Sequence, residues 1–339
     1  MGRSFSEKHI LPLLLCLLLL LAGCGSKHYA PVSKTVFAMD TVMTLTARGA
    51  RAEEALSLAE AELFRLDALM NRHDETSAVS RLNRTGTLEN EELASLILRM
   101  LAVSRSTGGA FDCTLAPLMD AWDIANGGRV PGEDELLACL SRTGAAARVR
   151  VSGNTVTLAP GTEIDLGAAG KGYAGERVRA IYEACGVTGS ISLGGDNCLV
   201  GPKSEDAALW RVGLRTPGSA EDIVGIFTVT DTFTVTSGSY ERYFTDTDGT
   251  VYHHILDPET GSPARSGLVS VTVLAKDGVE ADALATAFFV MGAEKTKAWL
   301  AEHPDVSAVL ISEDGAVLYS ASLQDVFIPQ AEGFAYEVF

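Results

Sequence analysis

Basic residues are scarce in this sequence of 339 residues. Lys and Arg number 27 against 44 Asp and Glu, a formal net charge of -17 at pH 7. A surface that acidic repels a polyanion, which excludes nucleic acid as a partner held through phosphate contacts. Cysteine is scarce too, with six in all. There is no C-x-x-C pair and no Cys/His cluster at zinc spacing, so nothing points to a structural zinc site. Cys113, Cys139, Cys185 and Cys198 read as small apolar fillers, and the sequence assigns no disulfide among them. Internal repeats, coiled coils and disordered tracts are missing. Long apolar runs are missing with one exception, Leu11–Leu21, which is leucine save for Pro12 and Cys16. Its 11 residues would span about 16 Å as a helix, about half of a ~30 Å hydrocarbon core, too short for a transmembrane helix. Over its whole length 47% of the chain is apolar, material for a sizeable core.

With Arg3 and Lys8 ahead of it, the leucine run reads as the apolar region of a signal peptide over residues 1–23. It closes on Leu21–Cys24 (LAGC), which resembles a bacterial lipobox, and the polar stretch Gly25–Lys27 follows. The expectation is acylation of Cys24 as the mature N-terminus, a tether over 24–34 and one domain over 35–330. Such a chain sits outside the cytoplasm, held to the bacterial cell membrane by acyl chains. Plain secretion with Cys24 uninvolved is the alternative.

Within the domain, Thr35–Ala47 alternates apolar and polar residues and reads as a strand. Apolar residues at helical spacing predict helices over Glu53–Met70, Glu91–Ser104 and Asp134–Leu140. A hairpin is expected around Gly153-Asn154, and strands over Trp210–Leu214, Ile223–Val229, Thr232–Tyr240, Leu268–Ala275, Val306–Ile311 and Ala316–Tyr319. Strands and helices do not alternate regularly, so an α+β class with mixed or antiparallel sheets and packed helices fits better than a doubly wound sheet.

One stretch stands out chemically. Asp165–Ala174 (DLGAAGKGYA) sets Lys171 among Gly167, Gly170 and Gly172, with a helix expected over Gly175–Cys185. Glycines at a helix start with a lysine beside them suit an anion such as phosphate. An ordinary Gly-rich turn with a surface lysine is the other reading. Further along, Gly108–Asp112 (GGAFD) either presents Phe111 and Asp112 in a tight turn or buries the first and caps a helix with the second. His253 and His254 are adjacent, so on a strand they face opposite ways and cannot share one metal. Ala281–Met291 is a helix apolar nearly all round. Its polar exceptions, Asp282 and Thr286, are four apart on one face. Together they offer two hard oxygen ligands for Mg²⁺, or else a helix cap and a hydroxyl bonded back to a carbonyl.

These motifs stand in one order: MDT at Met39, SAVSRLN at Ser77, GGAFD at Gly108, DLGAAGKGYA at Asp165, SLGGD at Ser192, TSGSYERYF at Thr236, YHHILDPETG at Tyr252 and ADALAT at Ala281. The set resembles the ApbE family, flavin transferases that move FMN from FAD to a protein threonine. The resemblance runs from Thr35 to about Val326. It implies a T-fold-like α+β domain, FAD as substrate, Mg²⁺ as cofactor and release of AMP. It implies acceptor flavoproteins such as subunits of membrane redox pumps. Carried onto this chain, it assigns FAD contacts to Met39, Ala110, Phe111, Asp112, Asp165, Lys171 and Ile255. It assigns Mg²⁺ to the Ala168 backbone oxygen, Asp282 and Thr286, and the activation of the acceptor hydroxyl to His254. There are two departures. His73 stands where the family has a tyrosine near the flavin, and Asp40 stands where it has glycine. An FAD pyrophosphatase and a non-catalytic FAD-binding lipoprotein are the competing readings. A Walker-type nucleotide site does not fit, because no Ser or Thr follows Lys171.

Overall fold

Leu268–Ala275 (LVSVTVLA) is buried at seven of its eight positions. A β-branched strand with both faces covered fits only between two layers. That is its place in the computed structural model, which describes residues 29–219 and 221–339. The apolar run Leu11–Leu21, Cys24 and the first residues of the expected tether, through 28, lie outside the described residues.

Strands β1 (Val32–Ala38) and β2 (Thr41–Arg48) are followed by helices α1 (Ala52–Met70) and α2 (Ala78–Thr85), strand β3 (Thr87–Glu89) and α3 (Glu91–Ser106). Three shorter helices, α4 (Ala116–Trp122), α5 (Glu133–Leu140) and α6 (Ala145–Arg148), lead into the hairpin β4 (Val149–Ser152) and β5 (Thr155–Leu158). Then come α7 (Gly167–Cys185), β6 (Thr188–Leu193), β7 (Asp196–Val200), β8 (Trp210–Arg215), β9 (Ile223–Val229) and β10 (Phe233–Gly238). After β11 (Tyr243–Thr245), β12 (Val251–His253) and β13 (Leu268–Ala275) runs the long α8 (Gly278–Glu302). The chain ends in β14 (Ser307–Ser312), β15 (Ala316–Tyr319), β16 (Phe327–Pro329) and β17 (Ala335–Val338).

Among the described residues, nine strands form one sheet in the order β1-β2-β6-β7-β10-β13-β14-β15-β17. Its pairs are antiparallel except β15 with β17. Helices α1, α7 and α8 cover one face, where Leu45, Ile191, Val235, Val271 and Val273 meet Leu63, Val178, Leu284 and Phe288. On the other face, Leu274, Val309, Ile311 and Val317 pack against Leu214, Val224 and Phe227 of the small sheet β16-β9-β8. This is α+β, as the irregular order of elements implied. Among the described residues no helix is long and apolar enough to cross a membrane.

Several boundaries differ from expectation for physical reasons. Thr35–Ala47 is two strands. Its alternation continues through the turn, but Met39 (φ 51°) and Asp40 (φ 59°) both take the left-handed conformation and fold it into a two-residue hairpin. Helix α7 begins at Gly167 rather than Gly175, so the three glycines around Lys171 are helix residues and not a loop. Helix α8 is broken at Gly292 (φ 75°) and extends well beyond Met291. Strand β1 begins inside the stretch expected as tether, and β17 lies past residue 330.

The glycines in α7 have a packing reason. A Cβ on Gly172 would overlap the Gly278 carbonyl, and one on Gly278 would overlap the Gly172 carbonyl. The two helices therefore touch backbone to backbone at this crossing. Glu176 locks it by accepting from the Gly278 and Val279 amides at 2.6 and 3.1 Å, and two bonds from Arg99 hold Glu176 in turn.

Candidate active site

A cavity of about 570 Å³ opens where β2, β7 and β10 end against α1, α7 and α8. That lies within the range of cofactor and small-molecule sites, about 300–1,000 Å³. Its centre is charged. Lys171 Nζ lies 2.6 Å from Asp196 Oδ2 and 3.3 Å from Asp282 Oδ1. Burial works against the lysine charge, but the two carboxylates outweigh it and hold its pKa above the ordinary value. Burial pushes the Asp196 carboxyl up, while Lys171 draws it back.

Local folding explains how these groups converge. Strand β7 pairs with β10 only at Phe233↔Cys198 and Thr234↔Asn197. Past that point Asp196 Oδ1 takes over as acceptor for the Thr236 amide, at 2.8 Å. The crossing of α7 and α8 brings the Gly172 amide within 2.9 Å of Asp282 Oδ2. In a regular α-helix that amide points at the carbonyl four residues back, which is Ala168. Asp282 does not cap its own helix; Asp277 does, accepting from the Glu280 amide at 2.7 Å.

Thr286 follows one turn after Asp282, and its Oγ1 is 3.4 Å from Ser237 Oγ on β10. Ala168, Asp282, Thr286 and Ser237 all line the cavity. Among the described residues no cluster of three or more His, Cys, Asp or Glu side chains is placed to hold a metal. The donors are instead one buried carboxylate with hydroxyl and carbonyl oxygens. That set fits Mg²⁺, which keeps several waters and takes few carboxylates.

The adjacent histidines do face opposite ways. His253 is 4% exposed. It donates from Nε2 to the Ala264 carbonyl at 3.0 Å and packs edge-on against Phe289. His254 lines the cavity. Its Nδ1 is 3.2 Å from the Arg242 carbonyl, and a carbonyl only accepts, so Nδ1 carries the hydrogen and Nε2 is left as a base. Burial lowers the His254 pKa to about 4, with the Arg242 and Lys171 charges adding to it.

The remaining residues assigned by resemblance line the same cavity: Met39, His73, Ala110, Phe111, Asp112, Asp165 and Ile255. Several carry structural duties too. Phe111 is buried. Asp112 accepts from Thr114 through Oδ1 and from the Ala145 amide, at the start of α6, through Oδ2 at 2.9 Å. Asp165 Oδ1 accepts from the Gly167 amide at 2.7 Å, and its Oδ2 from Arg72 Nε at 2.6 Å. Asp40, in the position of the expected glycine, stands at the exposed rim of the cavity. Its side chain is 79% exposed, 3.3 Å from Arg242.

Residues 39–310 match the family model described as the ApbE family. The chain belongs to the ApbE family. It is similar to a FAD:protein FMN transferase of Treponema pallidum, 32% identical over an alignment of 338 residues that covers 92% of this chain and 93% of that one. A FAD:protein FMN transferase of Klebsiella pneumoniae is 34% identical over 239 residues, 69% of this chain and 73% of that one. Among solved structures, the ApbE protein of Thermotoga maritima aligns with a TM-score of 0.82 at 32% identity, covering 88% of this chain and 99% of that one. The apo flavinyl transferase ApbE of Pseudomonas stutzeri aligns with a TM-score of 0.79 at 26% identity, covering 91% and 100%.

Two residues of this ApbE-family cavity had no assigned role in the sequence. Asp196 was visible only as the last residue of SLGGD. Arg72 had no signal beyond its place in the loop before SAVSRLN. Its side chain bridges Asp165 Oδ2 and Asp120 Oδ1, each at 2.6 Å, and ties the end of α1 to the start of α7 and to α4.

Proposed function

We propose that this chain transfers FMN from FAD to a threonine or serine hydroxyl of an acceptor protein, with Mg²⁺ bound, and releases AMP. The observation that carries this reading is one cavity holding a half-buried lysine, a buried carboxylate beside hydroxyls, and a neutral histidine with a free ring nitrogen. Family membership supports it, as do relatives named for this activity.

In this reading Lys171 and the amides near the start of α7 meet the FAD pyrophosphate. His254 Nε2 takes the proton of the acceptor hydroxyl, which is worth about 10²–10⁴ in rate. The hydroxyl oxygen bonds to the FMN phosphorus while the bond from that phosphorus to the AMP side breaks. AMP leaves with the electron pair. Asp282, Thr286 and the Ala168 carbonyl would hold Mg²⁺, which neutralises charge on the phosphates when bound. Met39, Ala110, Phe111, Ile255 and His73 supply the walls for the dinucleotide. Acceptors of this kind include flavoprotein subunits of membrane redox pumps, met outside the cytoplasm if Cys24 anchors the mature chain through acyl groups.

The test is mass spectrometry of an acceptor protein after incubation with FAD and Mg²⁺. A gain of one FMN on a Thr or Ser, with AMP in equal amount, is expected. Free FMN and AMP with an unmodified acceptor would make the protein an FAD pyrophosphatase. Bound, unchanged FAD would make it a flavin carrier. Labelling with a palmitate analogue, lost in Cys24→Ser, tests the anchor.

A further inference from the structure

One ammonium at the centre of the cavity is shared unequally between two carboxylates. Lys171 Nζ sits 2.6 Å from Asp196 and 3.3 Å from Asp282. Asp196 is a fixed post: it is 5% exposed and its other oxygen holds the Thr236 amide of the central sheet. Asp282 is fixed differently. The Gly172 amide holds Oδ2, so Oδ1, facing Lys171, is the oxygen without a backbone bond. An ammonium and a divalent cation compete for such an oxygen, because both are hard cations and repel each other at close range.

We propose that Asp196 is a positioning residue that draws Lys171 off Asp282 and keeps Asp282 Oδ1 open to a divalent cation. This rests on reading Asp282, Thr286 and the Ala168 carbonyl as a cation site. A lysine side chain only 28% exposed favours a counter-charge beside it. Without the Asp196 charge, the other carboxylate in reach of Lys171 is Asp282, and the lysine closes the remaining gap to it. The cation must then displace the lysine to bind. Asp196 thus acts on the metal through Lys171 and not by direct ligation.

The experiment is calorimetric titration with Mg²⁺ alone, without FAD, on the full chain. Four proteins are compared: unaltered, Asp196→Asn, Lys171→Met and the double variant. Asparagine keeps an oxygen for the Thr236 amide, so the sheet contact persists. With Lys171 present, Asp196→Asn is expected to weaken Mg²⁺ binding about tenfold, or about 1.4 kcal/mol. With methionine at 171 the same change is expected to cost only about twofold, a coupling in the range measured for contacting residues. Equal losses in both backgrounds overturn the proposal, because Asp196 then acts on the cation directly or only through the fold. If Asp196→Asn does not fold, crystals of the unaltered protein soaked in Mg²⁺ decide. Asp282 on the ion with Lys171 still on Asp196 is expected; Asp196 on the ion, or Lys171 away from it, refutes. Failure of the underlying site looks different: the unaltered protein and Asp282→Ala then bind Mg²⁺ equally weakly, and the proposal falls with it.

Discussion

Gly172→Ala adds one methyl group at the crossing of α7 and α8. The new Cβ would overlap the Gly278 carbonyl and lie 2.9 Å from Asp282 Cβ. A backbone carbonyl cannot rotate aside, so the helices must separate. Overpacking of this kind costs about 1–3 kcal/mol. Separation also stretches the bond from the Gly172 amide to Asp282 Oδ2, now 2.9 Å; such a bond to a charged acceptor is worth about 1.5–3 kcal/mol. Alanine returns about 1 kcal/mol through helix propensity. The net loss is about 3 kcal/mol, a fall in Tm of about 6 °C for a domain of this size. Thermal melts followed by circular dichroism measure it. The same displacement moves Asp282, so FMN transfer at saturating Mg²⁺ should fall by about 10²-fold, the scale for misplacing a site group by an ångström. A Tm unchanged or raised, as helix propensity alone predicts, would refute the close-crossing argument.

Other outcomes follow from the same geometry. His254 is a base only when unprotonated, and its pKa is lowered to about 4, so transfer should hold as pH drops from about 7 to about 5 and fail through about 4. A pH–rate profile with its midpoint near the ordinary histidine value of about 6.5 contradicts this. His254→Ala should slow transfer by about 10²-fold or more with FAD binding retained, read from FMN transfer rates and FAD titration. Chelation of Mg²⁺ by EDTA should abolish AMP release, and excess Mg²⁺ should restore it, as chromatography of the nucleotides would report. Arg72→Lys should lower stability by about 1–2 kcal/mol in urea denaturation, since an ammonium cannot span Asp165 and Asp120 as the guanidinium does.

The sequence made much of the fold legible where one period governs a segment. Leu268–Ala275 is legible to the residue because nearly every position is buried, and Ala316–Tyr319 because its apolar residues stand between the turns that bound it. The turn at Met39-Asp40 was hidden because apolar alternation continues through it and no glycine marks it. The start of α7 was hidden for the opposite reason. Glycines are poor helix formers, and only contacts distant in sequence, such as that of Gly172 with Gly278 and of Gly170 with Met39, explain why they sit inside a helix. The same limit applies to the site. Asp282 and Thr286 announced themselves as polar residues in an apolar helix. Asp196 and Arg72 did not, since their meaning lies in contacts that no local pattern encodes: the point where β7 stops pairing with β10, and a bridge from the end of α1 to α4 and the start of α7.

The meeting of α7 and α8 also sets an order of assembly. The amide of Gly172 and the carboxylate of Asp282 are 110 residues apart in the chain. A growing polypeptide therefore makes the lysine, Asp196 and most of the cavity lining before it makes the acid that completes the centre. Until α8 has emerged and docked, α7 presents a bare glycine seam, and Lys171 has only Asp196 to answer its charge. A chain cut short before α8 would lack both Asp282 and Thr286 and leave one face of the central sheet short of its cover.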